Sequence, residues 1–325
     1  MGKTTMDIGR LKKAVSLGEL VADLSAAGID CAVHGADRRI DKFCSLKRLE
    51  EEGLYYLTAA VGSKTVAIKN SIIITSQIIP DLEEANSFLV VDEPQVAYYQ
   101  LCRAFFKESP VRGIHATAVI DPEAVIDPDV YIGPYSIIGK CMISKGAAIH
   151  PHVVIYDNSV IGQNVTIEAG SYIGATGVAW IWDKDGDRII QPQIGGVQIG
   201  DNCFIGTDVT IVRGSLNEFT EIKHHTLIAH GTKIGHGVRI GAYCHFANNV
   251  SIAGSAVIGD RCFFGAASVV SSNIRLSEGI IVGAGAVVVT HFDEGNIVVA
   301  GVPAKMKGPV SAHKGVPRNT ADKKD

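Results

Sequence analysis

The sequence predicts a mainly β chain, a parallel β-solenoid preceded by a small α/β domain. The first observation behind this is a period. From residue 114 to about 293 a large aliphatic recurs every six positions: Ile114, Ile120, Ile126, Ile132, Ile138, then Ile143 one residue early, and onward to Val288. Six fits neither the 3.6 of a helix nor the alternation of a lone strand. It fits stacked coils in which each hexad is one short strand plus a corner, with the aliphatics sharing one continuous core. The second observation is composition. The 35 glycines suit a stack of tight corners, and 46% hydrophobic residues in 325 leave ample core material.

Residues 1–108 lack the period and read as a separate α/β domain. Segment 11–27 has helical spacing. Short apolar segments follow at 54–57, 65–68 and 71–75, the last a buried strand, and 88–91 is another strand. Asp92, Glu93 and Pro94 then open a helix through Phe106. Ser109 and Pro110 read as a hinge into the solenoid domain, 109–295. The repeat breaks at 174–196, around Trp180, Trp182 and the turn DKDGD at 183–187, and again at 213–221. A polar insertion cannot continue the hexad core, so it must loop off the coils, and loops on a rigid scaffold are where substrate contacts concentrate. The extension 296–325 reads as a largely disordered tail, rich in Pro, Gly and charge from residue 308.

A net charge of -4 without a basic stripe argues against a nucleic-acid binder. No apolar run reaches the length of a membrane span, and the first thirty residues lack a signal-peptide core, which points to a cytoplasmic chain. Seven cysteines with no CxxC pair suggest reduced thiols. Cys203, Cys244 and Cys262 each sit four residues after a hexad aliphatic, in a slot otherwise held by Ala, Ser, Val or Thr. They read as small inward-facing core residues.

Gly directly follows the aliphatic at Ile132, Ile161, Ile199 and Ile258. In this the hexads resemble the left-handed parallel β-helix of the hexapeptide acyltransferase superfamily, and the left hand is implied by that resemblance alone. More specifically, NVTIEAGSYIGATGV, QPQIGGVQIGDNCFIG, TIVRGSL, IGHGVRIG and SIAGSAVIGDRCFFGAASVV occur in the order found in the UDP-3-O-(3-hydroxyacyl)glucosamine N-acyltransferase family of lipid A biosynthesis. Segments 43–45, 52–57 and 89–104 resemble, more weakly, that family's uridine-binding domain, where Tyr56 would contact the nucleotide.

The chain also departs from the family. The loop motif Gly-x-Asp-Gly-Phe-Gly reads Gly-Ala-Thr-Gly-Val-Ala at 174–179, and Thr-Ile-Asp-Arg-Gly-Ala reads Thr-Ile-Val-Arg-Gly-Ser at 210–215. A second family histidine falls on Asn273. The Asn and Tyr expected after the strand at 54–57 give way to small residues around 59–62. The family's helical C-terminal extension is missing, and AGVPAK at 300–305 is similar to the ending of many acetyl-CoA-dependent sugar N-acetyltransferases.

The resemblance implies an N-acyltransferase that moves an acyl group from a thioester, on acyl-carrier protein or CoA, to the amine of a nucleotide-linked amino sugar. It implies a homotrimer with sites between solenoids and no bound cofactor. Such chemistry needs a base for the amine proton and donors for the developing oxyanion, and a neutral imidazole suits the first role. His224, His225, His230, His236 and His245 are candidates. The family's Ile-Ala-His spelling favours His230. Register favours His236: one coil of 18 residues further lies Gly254, the position of the family's oxyanion glycine, whereas the same step from His230 reaches Asn248. The base is therefore assigned to His236, the oxyanion donor to the Gly254 backbone, and His230 is the reserve. Arg213 would meet a phosphate or pair with Glu218 or Glu221. Trp180 and Trp182 would stack on sugar or acyl chain, or pack the loop onto the coils. Asn273 and Tyr56 complete the expected substrate contacts.

Two other readings stand beside this one. A non-catalytic solenoid would keep the fold and lose the chemistry. A zinc carbonic anhydrase would use His225 and His230, but the third ligand position falls at Arg188 and Ile189, so no metal is expected.

Overall fold

The computed structural model describes residues 8–58, 67–106 and 112–310. The chain divides into two compact units, Met1–Pro110 and Val111–Asp325. The segment around 59–62, residues 65 and 66 of the apolar segment 65–68, and the hinge at Ser109 and Pro110 lie outside the described residues.

The first unit is a six-stranded sheet in the order Arg10–Ser16, Arg39–Phe43, Gly53–Tyr56, Ile72–Thr75, Ser87–Val90, Ala32–His34. Ile72–Thr75 is buried along its whole length, as a central parallel strand flanked on both edges requires. The helices Leu17–Ala26 and Pro94–Phe105 bury Leu20, Leu24, Ala97 and Leu101 against Leu54, Ile72 and Ile74. Segment 11–27 is not one helix. Its first part pairs antiparallel with Arg39–Phe43 as a strand, and the helix begins only after Ser16. The reason is a capping box: the Glu19 N–H donates to Ser16 Oγ at 3.2 Å and the Ser16 N–H to Glu19 Oε2 at 2.8 Å.

The second unit is a solenoid of three sheets, of 11, 9 and 8 strands, parallel except for the last strand of the first sheet, with most strands only two residues long. The hexad aliphatics stack directly on one another. On the first face Ile132 pairs with Ile149, Ile149 with Ile167, Ile167 with Ile205 and Ile205 with Ile228. The second face carries Ile138, Ile155, Ile173, Ile211, Ile234 and Ile252, and the third Ile143, Ile161, Ile199, Ile222 and Ile240. All belong to one buried core. Each such side chain contributes about 1.5–3 kcal/mol on burial. Phe246 and Phe264 continue the first face with rings stacked at 4.5 Å.

Cys203, Cys244 and Cys262 are inward and buried, as their slot predicts, and burial pushes the Cys203 thiol up to about 11. The break at 174–196 leaves the coils as an antiparallel hairpin, Trp180–Trp182 against Arg188–Ile190. Asp183 shapes its turn, accepting the Asp185 and Asp187 N–H groups on Oδ1, both at 2.9 Å. The start of the extension differs from the disordered tail read in the sequence. Ile297–Ala300 adds in parallel to Ile281–Val282, and Lys305–Pro309 folds back antiparallel on it. Ile297 and Val299 point inward and are buried, so they prolong the core where the hexad spacing has ended.

Ile137 and Ile138 share one strand with opposite environments, 49% and 1% exposed. Ile138→Ala is expected to destabilise the solenoid by about 2–5 kcal/mol. Ile137→Ala should stay within about 0.5 kcal/mol. Denaturant unfolding of the two variants checks the contrast; equal losses would contradict the inward assignment of Ile138.

Candidate active site

One edge of the solenoid, where strands of the second face turn toward the third, collects four of the residues singled out from the sequence, Arg213, His236, Gly254 and Asn273. Along it stand Gly174 after Tyr172–Ala175 begins its turn, Arg213 after Thr210–Val212, His236 after Lys233–Ile234, Gly254 after Ser251–Ile252, and Asn273 after Val269–Val270. Consecutive coils are tied there by backbone bonds: the Ser255 N–H donates to the His236 carbonyl at 2.8 Å and the Asn273 N–H to the Gly254 carbonyl at 3.0 Å. His230 follows Leu227–Ile228, a strand of the first face, and therefore sits at a different edge. Its Nδ1 accepts the Thr207 N–H at 3.0 Å.

His236 is half-buried beside Gly254. A Cβ placed on Gly254 would lie 2.5 Å from His236 Nε2 and 2.8 Å from Cδ2 and Cε1, so only glycine leaves room for this imidazole. The other ring nitrogen, Nδ1, meets Ser215 Oγ at 3.2 Å. The backbone N–H of Gly254 is one of several at this corner position that no protein group meets among the described residues, whereas a few others are capped. At the equivalent corner position Lys140, Gln163 and Ala242 donate to carboxylates of the next coil, Asp157, Asp201 and Asp260. Among the described residues nothing accepts from the Gly254 N–H. A half-buried imidazole thus adjoins an uncommitted backbone donor, the pair of functions that proton removal and oxyanion stabilisation need.

The two breaks in the repeat are bound to each other under this edge. The Ile194 N–H donates to the Ser215 carbonyl at 3.0 Å, Gly195 N–H to Gly214 at 3.1 Å, and Gly214 N–H to Gly196 at 3.0 Å. Thr220 buttresses the histidine turn, its Oγ1 accepting the Gly237 N–H at 2.9 Å and donating to the Val212 carbonyl at 2.6 Å. Arg213 pairs with neither Glu218 nor Glu221 among the described residues. Its Nε donates to the Gly174 carbonyl at 2.8 Å, and its guanidinium lies 5.8 Å from the Tyr156 ring centre. On the far side of 213–219 opens a cavity of about 470 Å³, lined by Val125, Met142, Val160, Ile194, Leu216 and Phe219 among others.

Trp180 and Trp182 stay on the hairpin, 47% and 57% exposed, edge to face at 5.1 Å, with Arg188 over both rings. Tyr56 belongs to the first unit, in a ring cluster with Tyr98 at 4.9 Å and Tyr99 at 6.4 Å. His224 and His225 contact each other and Tyr243 at another corner. His245 lies on a first-face strand against Phe263, where burial holds its imidazole below the usual range. Among the described residues no group of three or more His, Cys, Asp or Glu side chains is arranged to hold a metal ion. No helix among them is long and apolar enough to cross a membrane. Sequence reasoning missed Ser215, Glu218 and Thr220. The one available signal was Ser215 standing where the family motif has alanine.

Comparison with known proteins agrees with this architecture. Residues 140–175 match the family model "Bacterial transferase hexapeptide (six repeats)", and residues 196–214 and 256–290 match "Hexapeptide repeat of succinyl-transferase". The UDP-3-O-acylglucosamine N-acyltransferase of Bordetella pertussis is 28% identical over 316 residues, covering 86% of this chain and 87% of that protein. The enzyme of the same name from Hydrogenovibrio crunogenus is 32% identical over 266 residues, covering 75% of this chain and 72% of its own length. Among solved structures, LpxA from Acinetobacter baumannii superposes with a TM-score of 0.55 at 32% identity, over 60% of this chain and 74% of that one. The UDP-N-acetylglucosamine O-acyltransferase of Moraxella catarrhalis gives 0.55 at 30% identity with the same coverage. The solenoid is accordingly a left-handed parallel β-helix.

Arg213 fastens the root of the hairpin through the Gly174 carbonyl. Arg213→Ala should destabilise the solenoid by about 1–3 kcal/mol, the range for a hydrogen bond to a charged donor. It should also speed tryptic cleavage at Lys184 and Arg188 several-fold, roughly as that loss of local stability allows. Limited proteolysis at matched temperature tests this, and unchanged cleavage would show that Arg213 does not hold the hairpin.

Proposed function

We propose that this chain, which belongs to the UDP-3-O-acylglucosamine N-acyltransferase family, transfers an acyl group from a thioester to the amino group of a UDP-linked glucosamine already acylated at O3. The observation that carries the reading is the juxtaposition of His236 Nε2 with Gly254 and its uncommitted N–H. The acceptor amine attacks the thioester carbonyl carbon, and the C–N bond forms as His236 Nε2 takes the amine proton. The carbonyl oxygen becomes an oxyanion, to which the Gly254 N–H donates. Collapse of the tetrahedral intermediate breaks the C–S bond, and the imidazolium returns its proton to the departing thiolate. Atoms balance as amide plus thiol, and nothing is oxidised or reduced.

The remaining assignments belong to the same proposal. Arg213, on the His236 edge, would face a phosphate of the nucleotide. Asn273, one coil beyond Gly254, would take a polar group of either substrate. Tyr56 and its ring cluster would receive the nucleotide base in the first unit. Trp180 and Trp182 offer a flat apolar face for sugar or acyl chain. Acyl-carrier protein or CoA would deliver the thioester, and a cytoplasmic homotrimer is the assembly this family reading favours.

Release of free thiol from an acyl thioester with UDP-3-O-acylglucosamine tests the reaction. His236→Ala should lower kcat by about 10²–10⁴, the usual worth of a positioned base. Gly254→Ala should lower it by about 10²–10³, because the added methyl must push the imidazole off its position beside the oxyanion donor. Loss on His230→Ala with full activity in His236→Ala would move the base to the other edge. No turnover with any amino-sugar acceptor would refute the enzyme.

A further inference from the structure

We infer that Ser215 is a positioning residue for His236, holding the imidazole so that Nε2 is the nitrogen free to accept the amine proton. The inference rests on reading His236 as the base. Three observations support it. Ser215 Oγ stands 3.2 Å from His236 Nδ1, while Nε2 is the ring atom nearest the Gly254 Cβ position, so the two nitrogens have separate partners. With Nδ1–H donating to Oγ, Nε2 carries the lone pair on the Gly254 side. The opposite tautomer would present an N–H there and could not take a proton.

Next, the serine backbone is pinned on both sides of its side chain. Its N–H donates to Glu218 Oε1 at 3.1 Å, and its carbonyl accepts from the Ile194 N–H at 3.0 Å. The hydroxyl therefore approaches His236 from a fixed direction at little further entropic cost. Finally, a carboxylate stands close to the histidine turn. The Glu218 carboxylate reaches within 3.0 Å of the Cβ position of Gly237, the residue next to His236. Arg213, on the same edge, is turned to the Gly174 carbonyl. Once the imidazole is protonated, Nδ1–H becomes a charged donor and Ser215 Oγ its acceptor, a hydrogen bond stronger than its neutral counterpart. The hydroxyl thus favours the state that follows proton transfer.

Ser215→Ala in the full chain should lower kcat by about 10- to 100-fold, the range of one hydrogen bond to a charged group. KM for both substrates should stay within about twofold and the melting temperature should not move, since the side chain contributes to no core. Ser215→Thr restores a hydroxyl and should recover most of kcat. In protein labelled with ¹⁵N-histidine, the wild-type His236 shifts should report Nδ1–H with Nε2 unprotonated, and Ser215→Ala should move the ring toward the other tautomer. Wild-type kcat in Ser215→Ala, failure of Ser215→Thr to recover it, or an unchanged tautomer would each overturn the positioning role. His236→Ala, measured alongside, separates the outcomes: if it alone abolishes turnover, the base stands and Ser215 falls, and if it is active both fall.

Discussion

Everything in the solenoid depends on one constraint, that each inward aliphatic must lie on its counterpart in the next coil. Strands of two residues cannot hold a register by their own ladder. Each contributes too few hydrogen bonds, and a parallel pair has no hairpin to fix it. Register is held instead by side chains. Ile211 on Ile234 and Ile234 on Ile252 leave no apolar surface to gain by slipping, and a slip of one residue would turn every isoleucine outward. The stack is consequently stiff along its axis, and residues one coil apart are held within van der Waals reach of each other at every edge.

That stiffness makes an edge usable for chemistry. Two groups placed 18 positions apart, such as His236 and Gly254, meet without either needing its own loop to bring it there. Flexible loops would have to pay ordering entropy for the same approach. The excursion 213–221 then adds what the repeat cannot supply. It leaves the coil at Val212, returns at Thr220, and its two ends close on the histidine turn through the Thr220 hydroxyl. A polar insertion is tolerated because its N–H and C=O groups are met by the second insertion, in the bonds from Ile194, Gly195 and Gly196.

The parts legible in the sequence are those governed by this register. The hexads placed the solenoid strands up to Val288, put Cys203, Cys244 and Cys262 inside, and by an 18-residue step paired His236 with Gly254 over the better-spelled His230, which the structure sets on another edge. Legibility fails where interactions are non-periodic. The strand Arg10–Ser16 alternates too imperfectly to be told from the helix that follows, and only the Ser16–Glu19 box marks the boundary. The hairpin at 180–190 and the closing strands after residue 296 come from cross-strand pairing that no local pattern announces. Ser215 was invisible for a further reason. Its contact with His236 spans 21 residues and crosses the excursion, so the ruler that relates one coil to the next does not apply to it.

What sets this edge apart is an imidazole standing one coil from an open corner donor. A solenoid corner exposes backbone N–H groups, and at some corners a side chain from the neighbouring coil meets them, as Asp157, Asp201 and Asp260 do. Such capping stabilises the corner and removes the donor from use. Beside His236, as at several other corners, no such cap is present, and the Gly254 N–H has no acceptor among the described residues. A donor without a protein acceptor at a half-buried corner stays available to a ligand. On the proposed function an oxyanion would accept from it: the charge would form only during acyl transfer, and the N–H, fixed by the stack, would not have to reorganise to reach it.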